Sequence, residues 1–332
     1  MATWRILTID GGGIRGIIPA HWLDMVQKEL GTPLWQSFDL ICGTSTGAIV
    51  AAAAATGMDM GSVVKLFRNE GPKIFRKGLF YRSPFRDRYN GKYLDTVLEN
   101  ELGNMQMEDA KTNLCITTYD IENRKAVLLR SYDNFTKDIE LWKACRASSS
   151  APTYFPPFKT RIGVASRILI DGGVCANNPS SLALAESISI ANKKSLKLMN
   201  DEIVMISLGT GSSTRNLCED RKPPLGLAGW ARPVLDVLFD GSAGMSDYIV
   251  GQILAPEKYI RLQFDLNSGQ GSDDLDDAGI NNIEALHGAA EAHVTVGSGK
   301  PIFEKLLRTL NSFKHDSLKV VENPRDDLPA PQ

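Results

Sequence analysis

An α/β layer sandwich built on a largely parallel sheet is the fold this sequence predicts. Segments with strand character alternate with segments of helical spacing from one end of the chain to the other. The 332 residues are 43% hydrophobic, enough for a large core. No internal repeat and no linker long enough to divide the chain is present, so residues 1–314 are expected to form a single domain, with 315–332 a frayed tail.

The elements follow in order. "WRILTID" (4–10) reads as a buried strand, and "GIIPAHWLDMVQKEL" (16–30) has helical spacing that stops at Gly31. "FDLIC" (38–42) is a second strand, followed by an alanine-rich helix from about Ser45 to Thr56. Residues 58–70 suit a further helix, while 71–93 read as irregular, basic and aromatic. "KYLDTVLENEL" (92–102) is a short helix, and "NLCITTYDI" and "KAVLLRSY" look like paired strands. A helix near 139–148 runs into the proline-rich "SAPTYFPPF". "RILIDGG" (167–173) is a strand meeting a glycine turn, and "NPSSLALAESISIAN" (178–192) is a helix with Pro179 near its first turn. "EIVMISLGTG" (202–211) is a strand, 233–254 a helix, "KYIRLQF" a strand, and helices near 282–297 and 300–313 complete the chain.

Composition removes several function classes. A net charge of −2 and a pI near 6.1 give no global field for recruiting nucleic acid, so no nucleic-acid polymer is expected as partner. The five cysteines are odd in number and scattered, with no CxxC pair, and read as reduced residues of a cytoplasmic protein. No metal and no cofactor is expected. The N-terminus enters a strand directly, without the pattern of a secretory signal. The apolar stretch around Ala48–Ala55 falls far short of the ~20 residues that span a bilayer.

The chemistry concentrates at small residues. "GTSTG" places Ser45 between glycines at 43 and 47, at a corner between strand and helix. A nucleophile on such a corner needs flanking glycines so that neighbouring backbone can pass close by. The helix behind it directs N–H groups toward the same spot, where negative charge is favoured. The competing reading is a tight turn in which Ser45 merely caps the helix. "DGGGIRG" (10–16) follows the first strand and offers backbone N–H groups for an oxyanion. A dinucleotide fingerprint is the rival there, but Asp24 and Glu29 fall inside the next helix instead of at the end of a second strand.

A serine hydroxyl also needs a base. His21, His287, His293 and His315 all lie in helices or near the tail, none in a turn after a strand. Asp171 remains, at the end of "RILID" with Gly172 and Gly173 letting the chain turn beside it. A carboxylate is a weak base in water, but partial desolvation and a direct hydrogen bond to Ser45 would make it effective.

"DGGGIRG", "GTSTG" and "DGG", in that order, resemble the motifs of the patatin-like phospholipases. The likeness covers about residues 4–310 and includes "ASSSAPTYFPP" and "SLGTG". It implies a three-layer α/β/α sandwich with a mainly parallel central sheet, and hydrolysis of acyl esters of phospholipids or other glycerolipids without metal. Carried over by position, Ser45 is the nucleophile and Asp171 the base. Gly11–Gly16 hold the oxyanion, with Gly12 and Gly13 the leading donors and Arg15 bracing the loop. "DGG" stands where "DGA" is commoner.

Residues 72–93 concentrate lysines, arginines and aromatic rings against one acid, Asp87. Three readings stay open: an interfacial membrane contact, a loop whose rings pack onto the sandwich, and a grip on a cyclic dinucleotide activator. The last comes from a likeness to bacterial patatin-like effectors of antiphage defence. A homodimer also stays open, as does a nucleotide-binding or storage-type protein with an inactive serine corner. The acidic "SDDLDD" (272–277) reads as a solvated loop before a helix.

Overall fold

A computed structural model describes residues 3–78, 86–213, 218, 226, 230, 233–266 and 270–313. Its main sheet contains β1 (Trp4–Ile9), β2 (Leu40–Thr44), β3 (Asn113–Asp120), β4 (Lys125–Arg130), β5 (Phe158–Ile162), β6 (Ala165–Asp171), β7 (Ile203–Leu208) and β9 (Tyr259–Leu262). A two-stranded patch pairs β8 (Ser212–Ser213) with β10 (Asp265–Leu266). β1 pairs in parallel with β2 and β7, β2 with β3, and β7 with β9. The hairpin β3–β4 and the pairs β3–β6 and β5–β6 are antiparallel.

Alternation along the central strands sorts side chains into two cores. Leu7, Ile9, Ile41, Leu114, Ile116, Ile206 and Leu208 face one side. Ile6, Leu40, Cys42, Cys115, Ile203 and Met205 face the other. Both sides are buried, which is why these strands read as near-continuous apolar runs. The first face is covered by α1 (Ile17–Leu30), α2 (Thr46–Thr56), α3 (Met60–Ile74), α5 (Leu141–Ser148), α9 (Ile280–Thr295) and α10 (Lys300–Ser312). The second is covered by α7 (Ser180–Lys193) and α8 (Pro233–Ile253). The result is the expected three-layer α/β/α sandwich. α4 (Lys92–Leu102) and the single turn α6 (Gly173–Ala176) complete the helices used below. α2 is apolar all round because it is buried all round, and its alanines let it lie close against the sheet.

Two expectations change. β5 begins at the last residue of the proline-rich "SAPTYFPPF" and runs through residues for which the sequence predicts no element; it alternates half-buried and exposed residues at the sheet margin, a pattern too short to stand out after two prolines. The acidic 272–277 stretch is not a solvated loop. Asp276 is buried and accepts from Arg88 and from the Tyr89 hydroxyl, and the Leu275 carbonyl accepts from the Ile14 amide.

The pairing around β3 has a consequence for the site. β4 lies along Cys115–Asp120, overlapping in register both β2, on Asn113–Thr117, and β6, on Thr118–Asp120. A strand has two edges, so β2 and β6 share the edge opposite β4. One runs parallel to β3 and the other antiparallel, and their C-terminal ends meet at neighbouring positions, Thr44 opposite Thr117 and Asp171 opposite Thr118.

Candidate active site

Ser45 follows Thr44 directly and is the N-cap of α2, with φ 55° and ψ −125°. A side chain at positive φ carries strain of about 1–3 kcal/mol and persists only where the surroundings hold it. Gly43 and Gly47 make the corner buildable: a Cβ on Gly43 would fall 2.3 Å from the Gly47 carbonyl oxygen, and one on Gly47 2.3 Å from that of Ile9. Ser45 caps the helix by position but not with its hydroxyl. Its Oγ donates instead to Asp171 Oδ2 at 2.6 Å, across 126 positions of sequence.

Asp171 is fully buried. Its second oxygen, Oδ1, accepts from the Gly173 amide at 2.7 Å. Burial pushes its carboxyl up to about 7, against the opposing pull of the Ser45 and Gly173 hydrogen bonds. Gly172 allows the turn to press on β3, since a Cβ there would lie 2.2 Å from Thr117 Oγ1. A Cβ on Gly173 would meet the Phe239 ring at 2.9 Å.

The glycine loop divides its labour. The Gly11 amide donates to the Asn177 carbonyl at 3.0 Å, so Gly11 is not among the available donors, a correction to its place in the expected oxyanion set. It serves by close approach: a Cβ there would stand 3.2 Å from Ser45 Cβ. The amides of Ile14 and Arg15 are engaged with Leu275 and Gly12 carbonyls. Gly12 and Gly13 have amides without a hydrogen-bond acceptor among the described residues. Arg15 donates from its guanidinium to the Gly12 carbonyl at 3.4 Å and to the Gly211 carbonyl at 2.9 Å, tying the loop to the chain after β7. Gly16 packs against α2, where a Cβ would fall 2.2 Å from Thr46 Oγ1.

The sequence profile of the patatin-like phospholipases matches residues 7–184, more than half of the chain, a span that holds Ser45, Asp171 and the glycine loop. The chain belongs to the patatin-like phospholipase family. Patatin-like protein 4 of Arabidopsis thaliana is 31% identical, the alignment covering 97% of this chain and 89% of the relative. Probable inactive patatin-3-Kuras 1 of Solanum tuberosum is 29% identical, over 85% of this chain and 83% of its own. The crystal structure of VipD from Legionella pneumophila aligns with 95% of this chain and 75% of its own at a TM-score of 0.47 and 12% identity, a likeness too weak to add to the fold.

In this patatin-like chain Ser45 and Asp171 line an apolar pocket of about 770 Å³, open solvent at its mouth included. Its walls come from α3, α4 and the Tyr154–Phe155 turn, with Phe239 of α8 and Leu275 closing them. Part of the basic aromatic segment belongs to this wall. Phe75, Tyr89 and Phe155 pack as a three-ring cluster with centroids 5.4–5.9 Å apart. Arg88 lies over the Tyr154 ring at 4.5 Å and reaches Asp276. Phe80, Tyr81, Arg82 and Phe85 fall outside the described residues.

Sequence reasoning missed the residues that clamp this patatin-like site. Ser148 Oγ accepts from the Ser45 amide at 2.7 Å, and the Ser150 carbonyl accepts from the Asp171 amide at 3.0 Å. Thr210 Oγ1 donates to the Gly11 carbonyl at 2.8 Å, tying "SLGTG" to the glycine loop. The advance signals were the serine run and "SLGTG", which name no partner. The three histidines among the described residues stand elsewhere: His21 and His287 have ring centroids 4.0 Å apart between α1 and α9, and His293 stacks on Phe264; His315 lies outside the described residues.

Proposed function

We propose that this chain is a serine lipid acyl hydrolase that cleaves acyl ester bonds of phospholipids or other glycerolipids. The carrying observation is the 2.6 Å hydrogen bond from Ser45 Oγ to a buried carboxylate at an apolar pocket. Ser45 Oγ attacks the acyl carbonyl carbon while its proton passes to Asp171 Oδ2. A base whose carboxyl titrates near neutrality is matched to that transfer. Negative charge on the carbonyl oxygen is held by the Gly12 and Gly13 amides, and the N-terminus of α2 favours it. The tetrahedral adduct collapses, the C–O bond to the lyso-lipid breaks, and the departing alkoxide takes the proton from Asp171. Water, deprotonated by the same carboxylate, then attacks the acyl-Ser45 ester; as that adduct collapses the bond to Ser45 Oγ breaks, the proton on Asp171 returns to Oγ, and the fatty acid leaves. The apolar walls accept the acyl chain.

The enzyme would act peripherally at a membrane surface; among the described residues no helix is long and apolar enough to cross a bilayer. The test is mass spectrometry of products from mixed phospholipid vesicles. Wild type is expected to release free fatty acid and lyso-lipid, with Ser45→Ala and Asp171→Asn each slower by roughly a thousandfold or more. Fluorophosphonate labelling should disappear in Ser45→Ala. Full turnover by folded Ser45→Ala protein would overturn the assignment, and an unreactive wild type would favour the inactive serine corner. Adding a panel of cyclic dinucleotides to the same vesicles tests the activator; equal rates throughout would remove it.

A further inference from the structure

Three consecutive serines end α5, and the hydroxyls of the outer two are engaged. Ser148 Oγ accepts from the Ser45 amide at 2.7 Å. Ser150 Oγ accepts from the Arg146 guanidinium at 2.6 Å and donates to the Arg146 carbonyl at 2.9 Å. Ser149, between them, differs. It lines the pocket with Ser45 and Asp171, and its Oγ is buried without a hydrogen-bond partner among the described residues. The turn does not need that hydroxyl, because the Ser149 amide already donates to the Cys145 and Arg146 carbonyls. A hydroxyl buried and unpaired destabilises a fold, so its presence beside a reacting serine calls for a partner that arrives with the substrate. We infer that Ser149 is a further catalytic residue, whose hydroxyl donates to the bridging oxygen of the scissile ester.

The inference rests on the hydrolase reading above and deepens it. Of the reacting ester, the carbonyl carbon receives Ser45 Oγ, and the carbonyl oxygen is met by the Gly12 and Gly13 amides. The bridging oxygen gains negative charge as its bond to that carbon breaks. Asp171 delivers a proton there but has little else to hold it with, since Oδ1 accepts from the Gly173 amide and Oδ2 serves Ser45 Oγ. Ser149 stands where the two strand ends meet: the Ser148 side chain holds the Ser45 amide, and the Ser150 carbonyl holds the Asp171 amide. With no bond to break, its hydroxyl turns between staggered rotamers at little cost. It keeps its own proton throughout, and Asp171 alone protonates the alkoxide. In the second half-reaction the attacking water takes the place of the leaving oxygen, and the same hydroxyl holds it.

The test compares Ser149→Ala with wild type on two substrates carrying the same acyl chain, a phospholipid in vesicles and a nitrophenyl ester. Nitrophenolate leaves without a proton or a donor. The single-turnover rate of lyso-lipid release is expected to fall about ten- to a hundredfold. The nitrophenol burst and the rate of fluorophosphonate labelling should stay near wild type. The melting temperature should hold or rise, because an unpaired hydroxyl is removed. An unchanged rate on the phospholipid overturns the inference. So does an equal loss in burst, labelling and phospholipid rate, which would mean that Ser149 only shapes the corner around Ser45. Wild type that neither labels nor turns over ends the hydrolase reading and this assignment with it, whereas active wild type beside an unimpaired variant ends the role of Ser149 alone.

Discussion

Replacing Asp171 by Asn should remove activity and stabilise the protein, and the gain should depend on pH. Burial raises the carboxyl from an ordinary value of 3.8 to about 7. Between those two values the unfolded chain releases the proton while the folded chain retains it. The folded state is therefore favoured at low pH, and this contribution is lost as pH rises toward 7. At 1.36 kcal/mol per unit, the loss is about 2 kcal/mol at pH 5 and about 4 kcal/mol at pH 8. Asn carries no such penalty. Its Oδ1 can accept from the Gly173 amide and its Nδ2 can donate to Ser45 Oγ, so the contacts that Asp171 makes are both replaced. Denaturant unfolding of the two proteins at pH 5 and pH 8 reads the difference directly, with titrations elsewhere cancelling. Asp171→Asn should exceed wild type by roughly 2–3 kcal/mol more at pH 8 than at pH 5. A gain that is absent, or equal at both values, would refute the desolvated carboxyl and with it the near-neutral base. Hydrolysis by wild type should correspondingly fall about tenfold per pH unit below 7.

Ser148→Ala leaves the buried Ser45 amide without its acceptor; stability should drop by about 1–3 kcal/mol and kcat should fall with KM little changed, as steady-state kinetics would show. Gly47→Ala drives a Cβ to 2.3 Å from the Ile9 carbonyl oxygen, and both partners are backbone, so soluble, cooperatively melting protein should be lost; a folded, active variant would refute the close approach. His21 has its imidazole lowered to about 4, chiefly by burial and then by His287. As pH falls from 6.5 the unfolded chain takes up the proton first, so stability is lost, by about 2 kcal/mol at pH 5, and His21→Gln should escape that loss in the same unfolding assay.

The parts of the site that depend on one segment were legible in the sequence. GxSxG between strand and helix is a local steric statement, and at both glycines neighbouring backbone lies where a Cβ would stand. The alternation of strands and helices likewise foretold the layers, because burial on both faces leaves apolar runs that a reader can see. What the sequence withheld is which groups are already engaged. Nothing local distinguishes the Gly11 amide, bound to Asn177, from those of Gly12 and Gly13. Ser148 is one serine of three until the fold sets it against Ser45. The acidic 272–277 stretch looks solvated because the basic and hydroxyl partners that bury Asp276 lie 188 and 187 positions away.

The meeting of Ser45 and Asp171 follows from topology more than from either motif. A parallel β2 and an antiparallel β6 on one edge of β3 must stop head to head, and the side chains at the two ends have nowhere else to go. Both are held at a cost: Ser45 in a strained φ and Asp171 away from water. Neither is imposed by packing alone, since a glycine at the corner and an amide at the strand end would fit the same backbone with less strain and less desolvation. The pairing of β3 with β2 and β6, locked by the hairpin on its other edge, supplies the rigidity that keeps a strained hydroxyl and a desolvated carboxylate in contact. A corner whose only task was to turn the chain would have no use for either.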